Sequence, residues 1–203
     1  LSQVAASGKD HVDITGCRQN LGKSVAVNGL VTEKRIVENF SQLILMDPDI
    51  IFSRSDLDTL SECLEDMESP GMISMDYYPW NSPKPPDGIV RQFPGKSGKS
   101  YEINVRASRP MTSGHVAGGV FGITSETAKT FLNGVVYPHF PYAYYTEDAA
   151  LDVTLAQKGR INGYLQKTQA LHLPETDRNY EAWKIKIRSS LKPPPAGYYD
   201  PPV

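Results

Sequence analysis

Between residues 22 and 35, Val25, Ala26, Leu30 and Val31 recur among polar neighbours at roughly helical spacing, and Phe40 to Met46 follows as a short apolar run. The pattern predicts a helix and then a buried strand. The run stops at Asp47-Pro48-Asp49, where the proline removes a ladder donor, so the two aspartates are expected at the strand's end and in the following turn. Ser55 with Asp58 three residues on has the form of a capping box, and Leu57, Leu60, Leu64 and Met67 follow at three- and four-residue spacing. An amphipathic helix is predicted there, ended by Ser69-Pro70-Gly71, with a strand over Met72 to Asp76. Residues 79 to 100, rich in proline, glycine, serine and lysine, read as a long mobile loop.

In the second half, Tyr101 to Ala107 alternates as a strand does, and Val116 to Ile123 is a further strand interrupted by Gly118-Gly119. Ser125 is expected to cap a short helix ending at Asn133-Gly134, and Thr146 to cap another running through Leu151 and Leu155 to Gly159. Ile161 to Leu165 and Ala170 to Leu173 read as two terminal strands. Trp183, Ile185 and Ile187 fall in a last helix or extended arm, and Lys192-Pro193-Pro194-Pro195 opens an extended tail. Helices alternate with strands throughout, which predicts an α/β domain over residues 1–190 and a proline-rich tail over 191–203.

Composition narrows the classes. The chain has 203 residues, 39% hydrophobic and 22% charged, within the range of one ordinary domain that buries its own core. A net charge of -2 with scattered basic residues argues against a nucleic-acid-binding face. Cys17 and Cys63 lie far apart without zinc spacing, which disfavours a disulfide framework and points to a reducing cytoplasm. No apolar run approaches the ~20 residues that cross a bilayer, and no secretory signal pattern opens the sequence. Leu1 in place of methionine suggests a shortened version of a longer product.

Several groups can carry chemistry. Side chains two apart in extended chain point the same way, so Asp47 and Asp49 can present carboxylates to one hard cation such as Mg²⁺ or Mn²⁺; an acidic turn after a strand is the plainer explanation. Glu147 and Asp148 open a helix, where its N-terminal partial charge favours acids, while Asp148 also suits a general base acting on an acceptor hydroxyl. His172 is either a structural histidine between Leu171 and Leu173 or a third metal ligand. Gly118-Gly119 marks a bulge or a close approach of backbone to a sugar or phosphate. Tyr77, Tyr78 and Trp80 form a sugar-stacking platform or pack beneath the loop.

Taken in order, these segments resemble the large inverting GT-A glycosyltransferase family, whose members transfer sugars from nucleotide diphosphates. Asn20-Leu21-Gly22 with Asn28-Gly29 resembles its N-x-G-x-x-x-x-x-N-G segment, and Leu43 to Asp49 resembles its hydrophobic strand ending in D-x-D. Gly118-Gly119-Val120-Phe121-Gly122 resembles the glycine-containing strand near the donor sugar and acceptor. Thr146-Glu147-Asp148 with Leu151, Leu155 and Gly159 resembles the E-D helix, and His172 stands at the later histidine position.

The resemblance covers roughly residues 18 to 175 and implies a GT-A fold, a mixed, mainly parallel sheet flanked by helices. It implies a metal-dependent transferase that inverts, with Mn²⁺ or Mg²⁺ as cofactor. Asn20, Gly22, Asn28, Asp47, Gly118 and Gly119 would bind the donor nucleotide sugar, Asp47, Asp49 and His172 the metal, and Asp148 beside Glu147 would be the base. A UDP-sugar is the favoured donor, with a glycan, lipid-linked sugar or protein as acceptor. One departure is clear: family members carry a strand, helix and strand for the nucleobase well before the N-x-G segment, and only about 19 residues precede Asn20 here. A lost beginning, a partner chain or second copy supplying that part, or a catalytically silent carbohydrate-binding or assembly module with this fold are the alternatives; a nucleotidyltransferase ranks last, lacking a glycine- and lysine-rich phosphate loop.

Overall fold

The capping signal in the first half is satisfied at Ser53, not Ser55. Ser53 Oγ accepts from Asp56 N at 3.1 Å while Asp56 Oδ2 accepts from Ser53 N at 3.2 Å, a reciprocal capping box two residues earlier than expected. The helix it starts, Arg54–Asp66, places Leu60, Cys63 and Leu64 in the core, with Met67 buried at its C-cap. A computed structural model describes residues 23–79, 88–105, 119–138 and 147–173, together with Ala182. The readings at Asn20, Gly22, Trp80, Gly118, Thr146, Trp183 and the proline-rich tail lie outside the described residues.

The elements are α1 (Lys23–Glu33), α2 (Ile36–Asn39), β1 (Gln42–Met46), β2 (Ile50–Phe52), α3 (Arg54–Asp66), β3 (Pro70–Pro79), β4 (Ile89–Pro94), β5 (Ser100–Val105), β6 (Val120–Thr124), α4 (Ser125–Phe131), α5 (Glu147–Gln157) and β7 (Ile161–His172). Seven strands form one sheet in the order β1-β6-β3-β7-β5-β4, with β2 on β7 beyond its contact with β5. The protein is thus α/β, with a mixed sheet flanked by helices.

The expectation of a mainly parallel sheet is corrected. Only β3 and β7 pair in parallel among the described strands; every other pairing is antiparallel. The cause is an insertion. β1 and β3 run in the same direction, as a strand-helix-strand unit requires, but β6 enters between them and opposes both. Of the loop expected over residues 79–100, residues 80–87 lie outside the described residues, and the remainder is corrected: β4 and a tight turn at Gly95 to Lys99 lead directly into β5.

Core side chains divide between the two faces. Met72, Phe121, Ile123, Leu151, Leu155 and Tyr164 meet Val31 and Val37 on the face covered by α1, α2 and α5. Leu60, Leu64, Ile73, Met75, Ile103 and Leu165 fill the α3 face, where burial of each leucine contributes about 1.5–3 kcal/mol. Residues 70–76 of β3 are buried on both sides, as suits a strand covered on both faces by helices. In α1 the expected stripe is rotated: Val31 is buried, but Val25 and Leu30 are exposed.

The two terminal strands predicted from the sequence are one strand with an irregularity. Between Leu165 and Ala170, β7 bulges against β3, with Lys167 at φ 69° and Thr168 Oγ1 donating to Leu165 O at 2.6 Å. The bulge carries β7 on to His172, level with Ile50 of β2 and Pro79 of β3.

Candidate functional site

Because β1, β3 and β7 share a direction and β6 opposes β1, the C-terminal ends of three strands and the start of β6 lie at one end of the sheet. Carboxyl ends of strands are where open α/β sheets bind ligands. Asp47 stands there, its amide donating to Gly119 O at 2.8 Å, so that the strand after the glycine pair and the acidic turn are tied through backbone.

The two aspartates do not continue in extended chain. Ile50 N donates to Asp47 O at 3.3 Å, closing a turn over Pro48 and Asp49, and the side chains take different partners. Asp47 Oδ1 lies 2.9 Å from Lys23 Nζ, and Asp49 Oδ2 lies 3.2 Å from His172 Nε2. Leu173 N donates to Asp49 O at 2.8 Å, which fixes the end of β7 to the turn. The parallel-carboxylate argument therefore fails here, although both aspartates remain at the same end of the sheet.

Lys23, the first residue of α1, is a further member of the site. No local pattern in the sequence marked it. Burial works against the ammonium, but the charges of Asp148, Asp47 and Glu147, with the Asp47 contact, more than offset it, and its pKa is raised. These carboxylates come from the β1 turn and the first turn of α5. Acids from two segments far apart in sequence thus act on one ammonium, which contacts Asp47.

Asn28 reaches across from α1 to the segment after α4. Its Oδ1 accepts from Val136 N at 3.1 Å and Tyr137 N at 2.9 Å, and its Nδ2 donates to Tyr137 O at 2.8 Å. Those bonds satisfy the backbone of a buried irregular segment, so the Asn28 carboxamide acts here as a brace. Tyr137 is fully buried and its hydroxyl donates to Asp148 Oδ1 at 3.3 Å. Burial first, then the charges of Asp148, Glu147 and Asp47, push the Tyr137 hydroxyl well above its ordinary pKa and keep it a donor.

Asp76, 5% exposed on β3, lies two residues past the Ser74↔Phe121 pair, toward the same end of the sheet. Its amide donates to Thr168 Oγ1 at 3.2 Å and its Oδ2 accepts from Gln166 Nε2 at 3.4 Å, so the β7 bulge supports it. Nothing in the local pattern separated this acid from a strand-end turn residue.

Among the described residues no group of three or more His, Cys, Asp or Glu side chains is gathered to hold a metal. The Asp49 and His172 pair offers one oxygen and one nitrogen donor, both partly exposed, a set that suits Mn²⁺ completed by ligand or water oxygens. Beside Asp47 a groove of about 470 Å³ runs along β1, lined by Val27, Leu30, Ile36, Leu43, Leu45 and Met46. Among the described strands β1 pairs only with β6, and the groove lies between it and residues of α1 and α2. Among the described residues no helix is long and apolar enough to cross a membrane. No protein-family model matches the sequence, and no curated protein matches it.

Proposed function

We propose that the protein is a metal-dependent, inverting glycosyltransferase of the GT-A type that moves a sugar from a nucleotide-diphosphate donor, a UDP-sugar, to an acceptor hydroxyl. One observation carries this reading: residues drawn from motifs spread between Asp47 and His172 stand at one end of the sheet. There Asp47 meets Gly119, Asp49 meets His172, and the charges of Glu147 and Asp148 act on the ammonium that contacts Asp47. An acidic turn, a helix cap and a core histidine would each account for one motif, and none of them accounts for the convergence.

On this reading Asp148 accepts the proton of the acceptor hydroxyl as its oxygen bonds to the anomeric carbon, and the carbon–oxygen bond to the diphosphate breaks with its electron pair leaving on phosphate. Tyr137 orients the Asp148 carboxylate by its hydroxyl. Asp49 and His172 would hold a divalent cation, which when bound neutralises charge developing on the departing diphosphate. The apolar groove along β1, which ends at Asp47, is where the donor's nucleobase would lie on this reading.

Titration of UDP into the protein with and without Mn²⁺ tests the reading. Mn²⁺-dependent binding that Asp49→Ala abolishes is expected, together with loss of transfer but unchanged UDP affinity in Asp148→Asn. Glycan binding indifferent to both nucleotide and Mn²⁺ would replace this reading with a non-catalytic carbohydrate-binding module.

A further inference from the structure

We propose that Lys23 binds the donor's diphosphate, and that in the ligand-free protein its ammonium holds the cationic position beside Asp47. The inference rests on the glycosyltransferase reading above and goes beyond it by giving the anion a protein-borne cation besides the metal. A diphosphate entering this end of the sheet meets the Asp47 carboxylate, and the charges of Glu147 and Asp148 act on the same position, so like charges oppose its entry. Some positive charge must therefore already stand there. Lys23 Nζ is 2.9 Å from Asp47 Oδ1, its side chain is 25% exposed, and it lies on the wall of the groove that ends at Asp47. It is shielded enough for its charge to act strongly and open enough to be reached.

The chemistry of the side chain fits two tasks. An ammonium has three donors on a flexible four-carbon stem, so it can keep Asp47 on one donor while giving another to a phosphate oxygen. A cation at Asp47 also works against a second cation in the same cluster. Lys23 thus weakens metal binding while the donor is absent and strengthens donor binding once metal and diphosphate arrive together.

Opposite signs separate this role from a structural one. In Lys23→Met, Mn²⁺ alone should bind several-fold more tightly, while UDP at saturating Mn²⁺ should bind roughly tenfold or more weakly, the scale of a lost charge-assisted hydrogen bond. Uridine, which has no phosphate, should bind the variant as it binds the parent protein, and Lys23→Arg should keep most of the UDP affinity. Equal losses for UDP and uridine, or unchanged UDP affinity, would overturn the Lys23 role while the parent protein's Mn²⁺-dependent UDP binding kept the glycosyltransferase reading intact. A parent protein that binds neither Mn²⁺ nor UDP overturns both. Thermal melting of each variant verifies that it is folded.

Discussion

The Tyr137 hydroxyl and the Asp148 carboxylate meet at 3.3 Å inside a shell that Asn28 closes from the far side through the Tyr137 backbone. The contact is long for a hydroxyl donor, so it orients Asp148 more than it stabilises its charge. Tyr137→Phe keeps the edge-on packing against Phe121, whose ring centroid is 6.2 Å away, and removes only the donor. A severalfold fall in kcat with unchanged UDP affinity is expected. Asn28→Ala leaves buried backbone groups of residues 136 and 137 unsatisfied and should cost about 1–3 kcal/mol by urea denaturation.

Cys63 gives the protein an alkaline limit. Burial, and then the charges of Asp66 and Glu62, push its thiol up to about 12 from 9.0. The folded state therefore holds a proton that the unfolded chain releases. Its contribution is complete below pH 9.0 and lost as pH rises toward about 12, at up to about 1.4 kcal/mol per pH unit. Cys63→Ala should remove the part of the decline that starts near that lower pH, leaving the part that Tyr101 and Tyr137, whose hydroxyls are also raised, add at higher pH. Denaturation midpoints across this range measure both.

The acid side is set partly at the β4–β5 turn. Asp66 accepts from Ser97 Oγ and Ser97 N, each at 2.7 Å, and from Tyr101 Oη at 2.9 Å, clasping the turn onto the end of α3. The Ser97 hydroxyl first, then the other donors and Lys99, holds the carboxyl below its usual range against the opposing effect of desolvation. The clasp is intact above the model-peptide value of 3.8 and is lost as pH falls below it. Asp66→Asn should flatten that portion of the melting temperature's acid dependence; an unaltered acid profile would count against the clasp.

Two glycines should respond in opposite directions. A Cβ on Gly163 would stand 2.6 Å from Asn104 O and 2.5 Å from Ile103 Cγ2, and the backbone carbonyl cannot yield without moving β5. Gly163→Ala should destabilise by about 1–3 kcal/mol. Gly29 lies within α1, exposed, with nothing within 4 Å of an added Cβ, so Gly29→Ala should stabilise by about 0.5–1 kcal/mol. Urea midpoints measured side by side give the comparison.

Where a residue's neighbours are close in sequence, the pattern was informative. Leu60, Leu64 and Met67 are buried as their spacing implied, Leu151 and Leu155 likewise, and Asp47 ends a strand where the proline indicated. Ser53 and Ser55 both begin a Ser-x-x-Asp frame, and only the folded chain selects the first. β4 escaped notice because Ile89 and Val90 are exposed on an edge strand and no buried alternation marks it. The insertion of β6 between β1 and β3 is a long-range choice that hydrophobic periodicity does not encode, and the parallel expectation failed for that reason. Lys23 belongs to the site through Asp47 and through charges far along the chain, which no local pattern announces.

From Leu165 to Ala170, β7 advances five residues while β3 advances two, from Met75 to Tyr77. Five is odd, and an uninterrupted strand would turn Leu165 and Ala170 to opposite faces, yet both belong to the same core cluster. The bulge is therefore an inverter of parity for everything that follows it, His172 included. Gain or loss of a single residue between 166 and 169 would propagate as an error of phase, rotating His172 away from Asp49 with both side chains chemically intact. The meeting of that pair depends on a count of residues as much as on their identity.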